Sequence, residues 1–169
     1  MKKILAKQKG FTLIELLLVV TILSVLAVSV FVALNPAQRL KDTKDARRAS
    51  DVDTILSAIH QSIIDNKGNT PSNLPAGGTE RQLGSGNSTD CATALTTGGC
   101  NTPASTACAD LMTGGQNLTS YLKSTPIDPS GGTTYTALKT GYSVAVASTG
   151  IVTICSCGKE GTENICASR

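Results

Sequence analysis

Two contrasting apolar patterns occupy the first 65 positions. Residues 11–34 hold 19 apolar side chains in 24 positions, and from 16 to 34 only Thr21, Ser24 and Ser29 interrupt them. A segment apolar all round has no face to turn to water, so it predicts a helix enclosed by lipid or by other apolar helices. From Ala37 the pattern becomes one-sided. Leu40, Val52, Ile55, Leu56, Ile59 and Ile63 fall on one stripe with charges between them, which predicts an amphipathic helix. Asn66, Lys67, Gly68, Asn69 and Pro71 supply its stop signals.

Between 68 and 132 no period persists, and Gly, Ser, Thr, Asn and Pro dominate. Residues 104–112 and 115–122 are the two segments there that predict short helices. After Asp128-Pro129-Ser130-Gly131-Gly132 the period falls to two, predicting strands at 134–138, 142–147 and 151–157 with turns at Lys139-Thr140-Gly141 and Ser148-Thr149-Gly150. One long helix laid on such a meander is an α+β arrangement. The chain therefore divides into a basic leader (1–10), an apolar helix (11–36), its amphipathic half (37–67), a loop region (68–132) and a sheet region (133–169).

Composition narrows the function. Fifteen Lys and Arg oppose twelve Asp and Glu, but Lys2, Lys3, Lys7 and Lys9 all precede the apolar run, so without them eleven basic groups face twelve acidic ones. That balance, with 3% aromatic residues and no Trp, argues against direct nucleic-acid binding. Six cysteines (Cys91, Cys100, Cys108, Cys155, Cys157 and Cys166) in a small, Thr-rich region argue for disulfides in an oxidising compartment. Their pairing stays open among fifteen connectivities. Cys155 and Cys157, two apart on a predicted strand, share a face and are expected to bond different partners. No CxxC is present and His60, the one histidine, lies in the helix pattern, so no metal or cofactor is expected. Asp128 has no acidic companion for calcium, and no nucleophile or phosphate-loop motif points to catalysis. Asn87-Ser88-Thr89 and Asn117-Leu118-Thr119 fit the N-glycosylation pattern and acquire meaning only in a host that glycosylates.

A basic leader before an apolar run describes a secretory signal, yet this run exceeds the usual h-region of about 7–15 residues and suits a hydrocarbon core of about 30 Å. Basic residues flank both ends, so the cysteines place the large domain outside the cytoplasm. Glu15 is the anomaly, an ionisable side chain in a lipid-facing helix. Residues 11–34 contain no cation for it, whereas an amine freed at Phe11 on a neighbouring chain would serve, setting register between copies.

Lys9-Gly10-Phe11-Thr12-Leu13-Ile14-Glu15, followed by the apolar stretch, closely resembles the class III signal of the type IV pilin and pseudopilin superfamily. The resemblance implies cleavage between Gly10 and Phe11 by a membrane-bound prepilin peptidase, N-methylation of Phe11, and a pilin-like fold. It further implies copies of the chain in a helical filament built by an assembly ATPase and a platform protein, with the cytoplasmic membrane holding subunits beforehand. Many family members carry a helix-breaking proline where this chain has Val32; here Pro36 is the expected kink, with the break between 33 and 36. The expected function is a non-enzymatic pilin of a surface filament serving adhesion, motility or DNA uptake. The alternatives are a pseudopilin of a type II secretion or competence system, and an unprocessed single-pass binding protein that keeps Met1.

Overall fold

The structure is a computed structural model and describes residues 10–86, 90–105, 107–132 and 134–169. The leader lysines and Asn87-Ser88-Thr89 lie outside the described residues. The chain forms two compact units, Met1–Leu40 and Lys41–Arg169.

Helix α1 (Leu13–Leu34) makes up most of the first unit, and none of its residues is buried. Its few hydroxyls are satisfied on its own backbone: Thr21 donates to the Leu18 carbonyl at 2.8 Å, Ser24 to Val20 at 2.7 Å and Ser29 to Leu26 at 2.8 Å. A helix surrounded by lipid needs this internal satisfaction, because no water is available to these groups. At about 1.5 Å per residue, its 22 residues match a bilayer core. The helix stops at Asn35, whose backbone is left-handed (φ 41°, ψ 68°), and α2 (Pro36–Asp65) restarts at once. Pro36 has no N–H and disfavours helical geometry in the residue before it, and asparagine tolerates the left-handed region better than most residues.

In the second unit α2 buries Val52, Ile55, Leu56, Ala58 and Ile59 in one core with Tyr142, Val144, Val152, Ile154, Leu83, Leu111 and Leu118. Four antiparallel strands, β1 (Arg81–Gln82), β2 (Tyr142–Val146), β3 (Val152–Ser156) and β4 (Cys166–Ser168), form a sheet in that order. Successive strand residues point to opposite faces. Val152 and Ile154 enter the core with α2, and the alternate positions Cys155 and Cys157 join Cys100 and Leu95 in a second, smaller cluster. Residues 95–102 cover this back face. Thr97 Oγ1 donates to the Cys157 carbonyl at 3.0 Å, the Gly99 N–H to the Ser156 carbonyl at 2.8 Å, and the Asn101 N–H to Glu80 at 3.0 Å. Too few apolar side chains lie there to hold a layer by burial alone, and disulfides supply the constraint. The pairs are Cys91–Cys108, Cys100–Cys157 and Cys155–Cys166, with no free cysteine. The fold is thus α+β and pilin-like, a long N-terminal helix with a small antiparallel sheet and three disulfides.

Three local expectations fail. Residues 134–138 form a bent, irregular segment rather than a strand, and β1 takes that place beside β2. Residues 104–112 and 115–122 are not helical where described. The Ala109 N–H donates instead to the Gln82 carbonyl at 2.8 Å, and Cys108 is tied to Cys91, so that backbone extends the sheet edge. In the second segment Leu118 folds back to donate to the Leu111 carbonyl at 2.8 Å and is fully buried.

Gly141, before β2, has φ +83°, and a Cβ there would lie 2.8 Å from the Tyr135 ring and 2.9 Å from Asp128 Cβ. Gly141→Ala combines left-handed strain with overpacking and is expected to destabilise by about 2 kcal/mol or more. Urea unfolding of the full chain in non-ionic detergent reads this directly.

Candidate processing and assembly site

Helix α1 begins immediately after Thr12, whose extended backbone (φ −82°, ψ 152°) makes it the N-cap. Thr12 Oγ1 accepts the Glu15 N–H at 3.3 Å, and Glu15 Oε2 reaches back to accept the Thr12 N–H and hydroxyl, each at 2.9 Å. This reciprocal capping box satisfies donors that the first helical turn cannot pair, and it sets a carboxylate where the helix dipole favours negative charge. Glu15 therefore has hydrogen-bond partners within its own chain, and among the described residues no cation pairs with it. Composition hides this arrangement; the spacing Thr12-x-x-Glu15 was its available signal.

Gly10 and Phe11 precede the cap, outside the helix and exposed. A Cβ built on Gly10 meets nothing within 4 Å among the described residues. The fold of the chain therefore does not require glycine there, and any requirement for it must come from whatever binds the Gly10–Phe11 peptide. Cutting that bond would leave all of α1 on the product, with a new amine beside the cap.

Within the charged stretch of α2, Arg48 is buried, 1% exposed. Arg48 donates to both oxygens of the buried Asp128 at 2.7 and 2.9 Å, to Asp45 at 2.7 Å and to Ser130 Oγ at 2.7 Å. Asp45 is not paired with Lys41, four residues before it. It meets Arg48 and accepts the backbone N–H groups of Glu160 and Gly161. Arg47 and Asp51, four positions apart, form an ion pair at 3.8 Å. Burial alone would push the Asp128 carboxyl up, but the bonds and charge of Arg48 and the Ser130 N–H outweigh it and hold it below the usual range. Asp45 is held low as well, burial being outweighed by the bonds from Arg48 and the Glu160 and Gly161 N–H groups, and the hydrogen bond that Arg48 donates to Asp128 raises Arg48 despite its burial. Burial, then the bond to Asp51, raises Tyr142. With both Asp128 oxygens on a guanidinium, this loop offers no free carboxylate to a cation. Among the described residues no group of three or more His, Cys, Asp or Glu is placed to hold a metal. His60 is half-buried on α2, its Nε2 without a hydrogen-bond partner.

Comparison with known proteins bears on the amino-terminal region. No curated protein and no solved structure matches the chain. Residues 5–31, spanning the leader end, the cap and most of α1, match the family model of the prokaryotic N-terminal methylation motif. The chain thus carries a class III signal, consistent with a type IV pilin or pseudopilin and supporting the processing and assembly such subunits undergo.

Proposed function

We propose that this chain is a non-enzymatic structural subunit, a pilin of a type IV surface filament serving adhesion, motility or DNA uptake. Prepilin peptidase cuts Gly10–Phe11 and methylates the Phe11 amine. The cytoplasmic membrane stores the product through α1 with the second unit outside, and an assembly ATPase acting with a platform protein moves it into a helical fibre of identical copies. The observation that carries this reading is the methylation motif at residues 5–31, joined to a helix whose apolar side chains are all exposed and wait for lipid or neighbours. The three disulfides favour a long-lived exposed fibre over a short periplasmic one.

Intact-mass and N-terminal analysis of the chain from sheared filaments and from membranes tests the reading. Abundant filament chain beginning at methylated Phe11 is the expected result. Trimmed chain confined to the membrane would instead indicate a pseudopilin, and retention of Met1 would sink the processing step. Gly10→Val should leave the unfolding midpoint unchanged, since a Cβ there meets nothing within 4 Å among the described residues, yet abolish trimming.

A further inference from the structure

The back face of the sheet holds two disulfides, Cys100–Cys157 and Cys155–Cys166. Cys155 lies directly across from Cys166 of β4, and Cys157 lies two residues further along the same chain, joined to Cys100. Cys100, Cys155 and Cys157 form one buried cluster. A Cβ on Gly99 would fall 2.5 Å from Cys166 Sγ and 3.5 Å from Cys155 Sγ, so the residue next to Cys100 rests on the other bridge. Cys166 is exposed, whereas the other three are at most 7% exposed.

The strand that carries Cys166 is also the one best able to move. β4 is a three-residue edge strand, paired only to β3. A one-residue slip would turn its side chains to the wrong faces, but a slide of two residues preserves every face. That slide sets Cys166 opposite Cys157 and Ser168 opposite Cys155. It breaks the Val152–Arg169 pair of backbone hydrogen bonds, each 3.0 Å, and moves the Ser156 N–H off the Ile165 carbonyl, now at 2.8 Å.

We propose that these four cysteines form a thiol-exchange site with two disulfide isomers, the observed pairs and the set Cys100–Cys155 with Cys157–Cys166, related by a two-residue slide of β4. A small external thiol enters at Cys166. Its thiolate attacks Cys166 Sγ, forming a mixed disulfide and releasing the Cys155 thiolate. Cys155 attacks Cys100 Sγ, forming Cys100–Cys155 and expelling the Cys157 thiolate. Cys157 then attacks Cys166 Sγ of the mixed disulfide, forming Cys157–Cys166 and returning the external thiol. Two disulfides are present before and after, so the thiol acts as a catalyst and no net oxidant is consumed. Cys91–Cys108, outside the cluster, takes no part.

The test uses the oxidised full chain in detergent, incubated without oxygen with reduced glutathione at mildly alkaline pH, then acid-quenched, digested with pepsin and mapped by mass spectrometry. Peptides linked through Cys100–Cys155 and Cys157–Cys166 are expected, with Cys91–Cys108 intact. Trapped thiols at Cys155 or Cys157 should appear about tenfold faster than at Cys91 or Cys108. Cys166→Ser leaves three cysteines in the cluster with one odd thiol, on Cys155 or Cys157, and should give both Cys100–Cys157 and Cys100–Cys155 without added thiol. A Cys155–Cys166 bridge that glutathione leaves closed would overturn the proposal. So would a Cys166→Ser chain holding only Cys100–Cys157, or new pairs that recruit Cys91 or Cys108.

Discussion

Asp128→Ala is expected to cost the second unit about 3–5 kcal/mol, because it leaves the Arg48 guanidinium buried without its main counter-charge. Against the roughly 5–15 kcal/mol that holds an ordinary domain together, that loss brings the unit close to unfolding. Asp45 remains beside Arg48, but it is itself part-exposed and engaged with the Glu160 and Gly161 N–H groups, so it compensates only in part. The double variant Arg48→Met with Asp128→Leu removes both charges at similar volume and should recover most of the loss. Urea unfolding of both variants separates a stranded charge from a simple cavity. Equal destabilisation of the two would mean that packing, not charge, governs the site.

The same cluster sets an acid limit. Asp128 and Asp45 have folded-state values below their ordinary ones, so folding favours the ionised forms. Their contribution is complete above the unfolded value of about 3.9 and is lost as pH falls through the folded values. The wild-type unfolding midpoint should therefore stay level from neutrality to about pH 5 and fall below about pH 4. Asp128→Ala should flatten that acid-side fall.

What could be read from the residues follows how local each signal is. The apolar run, the α2 stripe and the β2–β3 hairpin each repeat within a few residues, and each forms close to its expected bounds. β1 and β4 have two and three residues, too few to show a period, and they exist because β2 and β3 offer them edges. The helix expected at 104–112 loses to a distant partner, since the Ala109 N–H is bound at Gln82, 27 positions earlier. Arg48 was obscured by its charged neighbours. It lies four residues before Val52 on the stripe that continues through Ile55 and Ile59, and a charge in register with a core stripe marks a buried ion pair rather than a solvated face. At the amino terminus the Thr12-x-x-Glu15 spacing carries the cap openly.

On the proposed pairing of Glu15 with the Phe11 amine of a neighbouring copy, Glu15→Ala is expected to leave trimming at Gly10–Phe11 nearly intact and to reduce fibre yield by about tenfold or more, since a charged pair in a low-dielectric core has no substitute once the charge is gone. Because Glu15 also closes the capping box, the alanine variant alone confounds two roles. Glu15→Gln separates them, as glutamine retains the reciprocal cap but carries no charge. Thr12→Val does the converse, losing the hydroxyl that caps Glu15 N–H while keeping the carboxylate. If Glu15 pairs with the Phe11 amine of a neighbour, Glu15→Gln should fail in assembly much as Glu15→Ala does, and Thr12→Val should retain more fibre than either. The reverse order, with Gln tolerated and Val not, would transfer the role from charge pairing to the cap. Wild-type fibre yield from Glu15→Ala would remove both roles. Quantifying trimmed chain and sheared filaments from the same cells keeps processing and assembly distinct, so a subunit never cut cannot be mistaken for one that cannot assemble.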